Sequence, residues 1–204
     1  MSTALHYICL SGGEGSGKTT VLERIRTDFP SACMVREPGG TPFGVTMRAA
    51  ILDRQYAPNP WTELFLFMAD RMEVHERLIR PALASGQTVI SDRCWIETLV
   101  YQVLTKIGRS VVPLYLDMIR QSGCVMPDLW IWLDLDPVVG LQRRSASGEV
   151  NSFDQDALEV HQAYRRHFAE VAMLVPELRM VRIDAAQSKD EVYTAVRSAM
   201  MSAI

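Results

Sequence analysis

The stretch Gly12-Gly13-Glu14-Gly15-Ser16-Gly17-Lys18-Thr19 has residue types and spacing suited to phosphate chemistry. It satisfies GxxxxGK[ST]. Glycines let the backbone turn tightly and aim successive N–H groups at phosphate oxygens. A lysine in this place reaches β- and γ-phosphates, and the Thr19 hydroxyl can ligate Mg²⁺. Where such a loop opens a helix, the partial positive charge of the helix N-terminus adds to the attraction. The pattern arises by chance in on the order of one chain in a hundred at ordinary glycine usage. Gly12, Gly13, Glu14, Gly15, Ser16, Gly17, Lys18, Thr19 and Thr20 are therefore expected to hold the phosphates of ATP. Neither an NKxD signature of base-reading GTPases nor a DExx box accompanies the loop.

The elements that must position this loop can be read from hydrophobic patterning. Short apolar runs at 5–10, 32–36, 88–91, 129–133 and 178–183 read as five buried strands. Helical patterns at 17–28, 42–52, 61–84, 95–104, 138–144, 155–174 and 189–201 alternate with them. Continuous apolar strands alternating with helices indicate a parallel sheet covered on both faces, a three-layer α/β/α arrangement. With 204 residues, no repeats and no linker, one domain over 1–204 is expected. Hydrophobic residues at 48% and charged residues at 22% exclude a disordered or fibrous chain. No apolar run approaches the roughly 18 residues of a membrane span, and no basic segment precedes the first strand. Four cysteines without CxxC or His partners at ligand spacing suggest unpaired thiols in a reducing, cytoplasmic setting. The net charge of -3 gives no global field for nucleic acid. Of the 21 basic residues, however, 18 are arginine, whose rigid fork of donors suits phosphate.

Three further segments lie at predicted strands: Arg36-Glu37-Pro38-Gly39-Gly40-Thr41 follows the second, Asp92-Arg93 follows the third, and Pro127-Asp128-Leu129 enters the fourth, leading to Leu133-Asp134 and Pro137. Together with Glu14 inside the glycine-rich loop, this set resembles the thymidylate kinase family of P-loop nucleoside monophosphate kinases, over most of the chain and in the right order. The resemblance implies a five-stranded parallel sheet with a helical lid at about 143–155, a homodimer, and Mg²⁺-assisted transfer from ATP to dTMP. It places Phe67 under the thymine ring and Arg71, four residues on, at its O4. Stacking of a base on an aromatic ring contributes about 1–3 kcal/mol. Arg93 would hold the acceptor phosphate, with Arg36 and Arg48 nearby, and Asp92 would lie near the metal beside Thr19. Glu14 would contact the deoxyribose 3′-hydroxyl. Tyr101 would close over C2′ and disfavour ribose, with Gln102 and Thr98 beside it, and Pro38 would face the C5 substituent. Lys18 would hold the leaving diphosphate. The four histidines are expected to be structural.

Two departures from the family pattern bear on mechanism. Relatives with a bacterial-type REPGGT segment carry lid arginines where this chain has Ser145, Ser147 and Ser152, and Gly15 offers no arginine from the P-loop. Arg143 and Arg144 are the local candidates for that role, with Arg165 and Arg166 more distant ones. The second departure is Glu97, which replaces a small serine near the expected base pocket. Either it reads a substituent absent from thymine, as in 5-hydroxymethyl-dUMP, or it turns outward or pairs with an arginine. A kinase for such a 5-substituted deoxyuridylate, and a weakly catalytic nucleotide-binding protein, are the alternatives to a dTMP kinase.

Overall fold

The computed structural model describes residues 7–53, 55–147 and 157–202. Five strands, β1 (Tyr7–Gly12), β2 (Cys33–Arg36), β3 (Val89–Asp92), β4 (Leu129–Asp134) and β5 (Met180–Asp184), form one sheet in the order β2-β3-β1-β4-β5. Every pairing is parallel. Leaving β1 the chain runs to one edge, returns to β3, and then crosses to β4 on the other side of β1. The order thus reverses beside β1, and the carboxyl ends of strands at such a reversal form the crevice where α/β proteins bind ligands.

Strand side chains alternate between two cores, as the period of two requires. Ile8, Leu10, Leu129, Ile131 and Leu133 face α1 (Lys18–Asp28) and α9 (Lys189–Met201) through Val21, Leu22, Ile25, Val192 and Val196. Cys9, Trp130 and Trp132 face the opposite layer. That layer comprises α3 (Pro60–Val74), α5 (Trp95–Thr98), α6 (Val112–Gln121) and α8 (Leu158–Leu174). The expected three-layer α/β/α order is therefore present. No helix among the described residues is long and apolar enough to cross a membrane.

Most expected elements fall where the patterning puts them, and the differences have local causes. The run at 61–84 is one continuous helical path in which α3 passes through a π-helical turn, His75–Ile79, into α4 (Arg80–Ala84). The path from α5 likewise continues as π-helix over Leu99–Ile107. β1 extends to Gly12 because Ser11 and Gly12 still pair with Trp132 and Leu133, although their composition reads as loop. Residues 105–128 carry no expected element, yet they include α6. Its signal is Pro113 in the first turn and Val112, Tyr115, Leu116 and Ile119 on one buried face. α2 (Pro42–Leu52) is capped by the Thr41 hydroxyl, which accepts from the Gly44 N–H at 3.0 Å. α7 (Pro137–Ser147) includes the first part of the expected lid, 143–147, as helix, and the rest of that lid, from 148 on, including Ser152, lies outside the described residues.

Candidate active site

The glycine-rich loop leaves β1 and enters α1 with Gly17 as N-cap at φ 82°, a left-handed conformation open to glycine. Gly15, also at positive φ, lies against Gly140 of α7 so closely that a Cβ on either would come within 3.0 Å of the other loop's backbone. Gly140 sits inside a helix, where alanine would ordinarily stabilise. Here Gly140→Ala is expected to displace the Glu14 carbonyl and raise KM for ATP on the order of tenfold, since misplacement by about 1 Å can cost as much as 10²-fold. Steady-state kinetics with ATP varied checks this, and an unchanged KM would refute it.

Lys18 forms an ion pair with Asp92 at the end of β3. Burial and the neighbouring Arg93 lower the Lys18 pKa against the pull of Asp92. Burial opposes charge on Asp92 too, but Lys18, Arg93 and Arg36 together hold its carboxyl below the usual range. Arg93 has φ 75°, one of two non-glycine residues in the left-handed region among those described. Such strain costs about 1–3 kcal/mol and persists only when the surroundings over-determine it. Its N–H donates to the Leu10 carbonyl at 3.1 Å, and its own carbonyl accepts from the Ser91 hydroxyl. The guanidinium donates to the Tyr101 hydroxyl at 3.2 Å and lies 4.0 Å from Glu14. Burial works against its charge, yet Tyr101, Glu97, Asp92 and Glu14 raise its pKa. Burial likewise pushes the Tyr101 phenol up to about 12.

Arg48 donates to the Pro38 carbonyl at 3.2 Å, and burial, Arg36 and Arg93 lower its pKa. Arg36, Arg48 and Arg93 therefore crowd one another along the groove beside the P-loop, with Asp92 and Asp70 as counter-charge for Arg48. Asp70, which patterning did not single out, is buried and accepts from the Gly39 N–H at 3.0 Å, tying the Gly39-Gly40 turn to α3.

Phe67 and Arg71 line the same cavity as Arg93, Tyr101, Gln102 and Pro38. Arg71 is buried, and its Nε donates to Glu37 at 2.7 Å. Its remaining donors meet Thr98 Oγ1 at 3.0 Å, the Cys94 carbonyl at 3.2 Å, the Tyr115 hydroxyl at 3.4 Å and the Met68 sulfur at 3.7 Å. The thioether is the weak member of that set. Burial opposes charge on Glu37, but Arg71 and His75 lower its pKa. His75 accepts from the Val125 N–H at 3.1 Å through Nδ1, so Nε2 faces Glu37 at 3.4 Å. The spacing of Phe67 and Arg71 is visible in sequence. Apart from Met68 on its own helix, the partners that orient Arg71 come from three other parts of the chain.

Gln102 is fully buried on the cavity wall, and neither its Nε2 nor its Oε1 has a hydrogen-bond partner among the described residues. Glu97 is buried rather than turned outward, and among the described residues it closes no ion pair with an arginine. At the third position of α5 its Oε2 accepts from the Cys94 N–H at 2.9 Å, a capping-box contact, while Oε1 stays unpartnered beside the cavity. Burial raises its pKa although Arg93 pulls the other way. Cys9 and Cys94 meet Glu97 there, a juxtaposition hidden by their separation in sequence.

The two local arginines differ in what they hold. Arg143 Nη1 donates to the carbonyls of Ala185 at 2.9 Å and Gly15 at 3.4 Å, and Nη2 to Ala186 at 3.4 Å. Arg144 Nε lies 3.6 Å from Glu14. Arg165 is bound to Asp134 at 2.7 Å and Asp136 at 3.2 Å. Lys18, Thr19, Thr20, Arg143 and Arg144 border the groove beside the P-loop. The site as a whole is a phosphate cradle joined to an apolar cavity that has cations at its mouth and a polar amide inside.

Known proteins resemble this chain along nearly its whole length. The family model described as thymidylate kinase matches residues 10–196. The thymidylate kinase of Deinococcus radiodurans is 36% identical over 203 residues, covering 95% of each chain. That of Synechococcus sp. (strain JA-2-3B'a(2-13)) is 41% identical over 195 residues, covering 91% of this chain and 89% of the relative. That of Solidesulfovibrio magneticus is 37% identical over 202 residues, covering 93% and 96%.

Proposed function

Because the chain belongs to the thymidylate kinase family, and is thus a nucleoside monophosphate kinase, we propose that it transfers the γ-phosphoryl group of ATP to dTMP, giving ADP and dTDP for DNA-precursor synthesis. The observation that carries this reading is the cavity beside the P-loop. It joins the buried Phe67 ring and the unpartnered Gln102 amide to Arg36, Arg48 and Arg93 at the phosphate end. A pyrimidine imide offers an N–H flanked by carbonyls, which an amide can pair with edge to edge. A second donor for the base comes from Arg71, whose Nη1 can exchange the weak Met68 sulfur for a carbonyl oxygen.

Phosphoryl transfer asks the protein mainly for positioning and positive charge. Arg93, with Arg36 and Arg48, holds the dTMP phosphate so that one of its oxygens attacks in line. Lys18 and the loop N–H groups bind the β- and γ-phosphates through the transfer. Tyr101 packs against the sugar and leaves no room for a 2′-hydroxyl, while Glu14 accepts from the 3′-hydroxyl. Thr19 and Asp92 offer hard oxygen donors on the wall of the same groove, and Asp92 is kept ionised, which fits Mg²⁺. Held by Thr19 and Asp92, such an ion would supply positive charge against the phosphate oxygens. The same proposal includes cytoplasmic work, in keeping with four free cysteines, and a homodimer. Exposed Phe43, Trp61 and Phe65 on α2 and α3 supply apolar surface for such a dimer.

Glu97 supports a narrower second reading. Its unpartnered Oε1 on the cavity wall could accept from a hydroxymethyl group at C5 of the base. ADP formation with MgATP over dTMP, dUMP, 5-hydroxymethyl-dUMP, dCMP, dGMP and the ribose form of TMP separates the two. Highest turnover with dTMP is the expected result. Preference for the hydroxymethyl nucleotide, lost in Glu97→Ser, would replace it with the second reading, and no turnover of any pyrimidine would sink both.

A further inference from the structure

His161 stands on the inner face of α8, in a buried stripe with Tyr164, Phe168 and Val171. Phe168 packs on Trp130 and Trp132, with ring centroids 6.2 Å and 5.9 Å away. His161, Tyr164 and Phe168 all border the acceptor cavity. His161 meets the Tyr164 ring edge-on at 5.8 Å, and Tyr164 meets Tyr101 at 4.5 Å, so an aromatic ladder links His161 to the residue that binds Arg93.

A histidine in an apolar stripe is ordinarily a core residue with both ring nitrogens satisfied, and His75 is that kind. His161 is not. It is 7% exposed, and its Nε2 has no hydrogen-bond partner among the described residues. Leaving a buried polar atom unpaired forfeits its hydrogen bonds to water, so an apolar ring would pack there at lower cost. On the cavity wall the missing partner can come from a ligand. The phosphate end is already lined by arginines, and the base is met by Phe67 and Gln102 from other elements. Along the wall that α8 contributes, the unpartnered polar atom is that of His161.

We infer that His161 is a substrate-contacting residue of the acceptor site, its Nε2 hydrogen-bonded to an oxygen on the nucleoside half of the pyrimidine monophosphate. The inference rests on the proposed acceptor and adds a residue that motif reading assigned to structure. With its proton on Nε2 the imidazole donates to a base carbonyl or a sugar hydroxyl, and in the other tautomer Nε2 accepts from the hydroxyl. The shared chemistry is a neutral oxygen within reach of Nε2.

The test compares wild type, His161→Phe and His161→Gln by calorimetric titration with dTMP in the absence of ATP, by melting temperature, and by steady-state kinetics. His161→Phe keeps the ring and removes the nitrogens. It is expected to melt at or above the wild-type temperature without ligand, yet bind dTMP about tenfold more weakly, the scale of one lost hydrogen bond. Its KM for ATP should stay within about twofold, since a group on the acceptor side makes no contact with the donor. His161→Gln, which returns a polar atom at similar reach, should recover most of the affinity and guards against a folding defect in the phenylalanine variant. Repeating the titration with 3′-deoxythymidine monophosphate locates the oxygen. If wild type and His161→Phe bind that analogue alike, the 3′-hydroxyl is the partner, and an equal tenfold loss assigns a base carbonyl. Unchanged dTMP affinity in His161→Phe overturns the inference, as does a parallel loss for ATP. Failure of the wild type itself to bind dTMP, while binding another pyrimidine monophosphate, overturns the acceptor assignment instead, and the same comparison with that nucleotide then decides His161.

Discussion

Arg93→Ala is expected to lower kcat/KM for dTMP by about 10²–10³-fold while the protein stays folded, the scale seen when one preorganised donor to a developing charge is removed. The structure commits three separate features to this side chain. Its backbone is held at φ 75° by the Leu10 carbonyl, the Ser91 hydroxyl and the Glu97 cap on the following N–H. Its guanidinium is oriented by Tyr101 and faces Glu14. Its charge is favoured by Asp92 and Glu14 despite burial. Removing it leaves Asp92 with Lys18 and Glu14 with Arg144, and the buried Glu97, whose pKa burial already raises, meets the loss by holding a proton. Stability should therefore change little, and the loss should fall on catalysis. Arg93→Lys should remain at least about tenfold below wild type, because an ammonium cannot present two parallel donors to phosphate. Steady-state kinetics with both substrates varied measures this, and a kcat/KM within threefold of wild type in Arg93→Ala would remove Arg93 from the acceptor site.

The second large effect separates two adjacent arginines. An arginine that stabilises the transferring phosphoryl group is worth 10³–10⁵ in rate, and this chain has serine at three places where relatives of its type carry one. Arg143 has its fork spread over the carbonyls of Gly15, Ala185 and Ala186, bracing the P-loop against the turn before α9. Arg144 points at Glu14, which is also 4.0 Å from Arg93, so it borders the P-loop groove on the side toward Arg93. Arg144→Ala is expected to lower kcat by about 10²–10³-fold, at or below the lower end of that range because its head group is partly exposed. KM for both substrates should change by less than threefold. Arg143→Ala should act mainly on KM for ATP, because the carbonyls it braces border the triphosphate groove. Equal, small effects in both variants would return the role to the more distant pair, Arg165 and Arg166.

Motif chemistry was legible wherever a local backbone shape creates it. Gly12 to Thr19 build the phosphate cradle from their own torsions, so the P-loop and the helix it opens could be read without any contact from elsewhere. The parallel sheet was legible for a related reason. A strand buried on both faces must be apolar throughout, and Tyr7–Leu10 and Leu129–Leu133 are. α6 was overlooked although its apolar spacing is regular, because its neighbours Lys106 to Ser110 and Gln121 to Gly123 read as one long polar connection around it.

The amino-acid sequence by itself determined the nucleotide cradle, the five-stranded parallel order of elements, and the family to which the chain is akin. These depend on neighbours within a turn or a strand. Only the tertiary structure decided which side chains are committed and which are left open. It gives His75 the Val125 N–H and a nearby Glu37 and leaves His161 Nε2 without a hydrogen-bond partner among the described residues, although both lie on helices in apolar company. It turns Glu97 inward onto the Cys94 N–H, and it divides Arg143 from Arg144 by a rotation of one residue along α7. The physical reason is that a hydrogen bond needs its partner within about 3 Å at the right angle. For these groups the partners, or their absence, come from segments that meet only when the sheet and its two helical layers have closed.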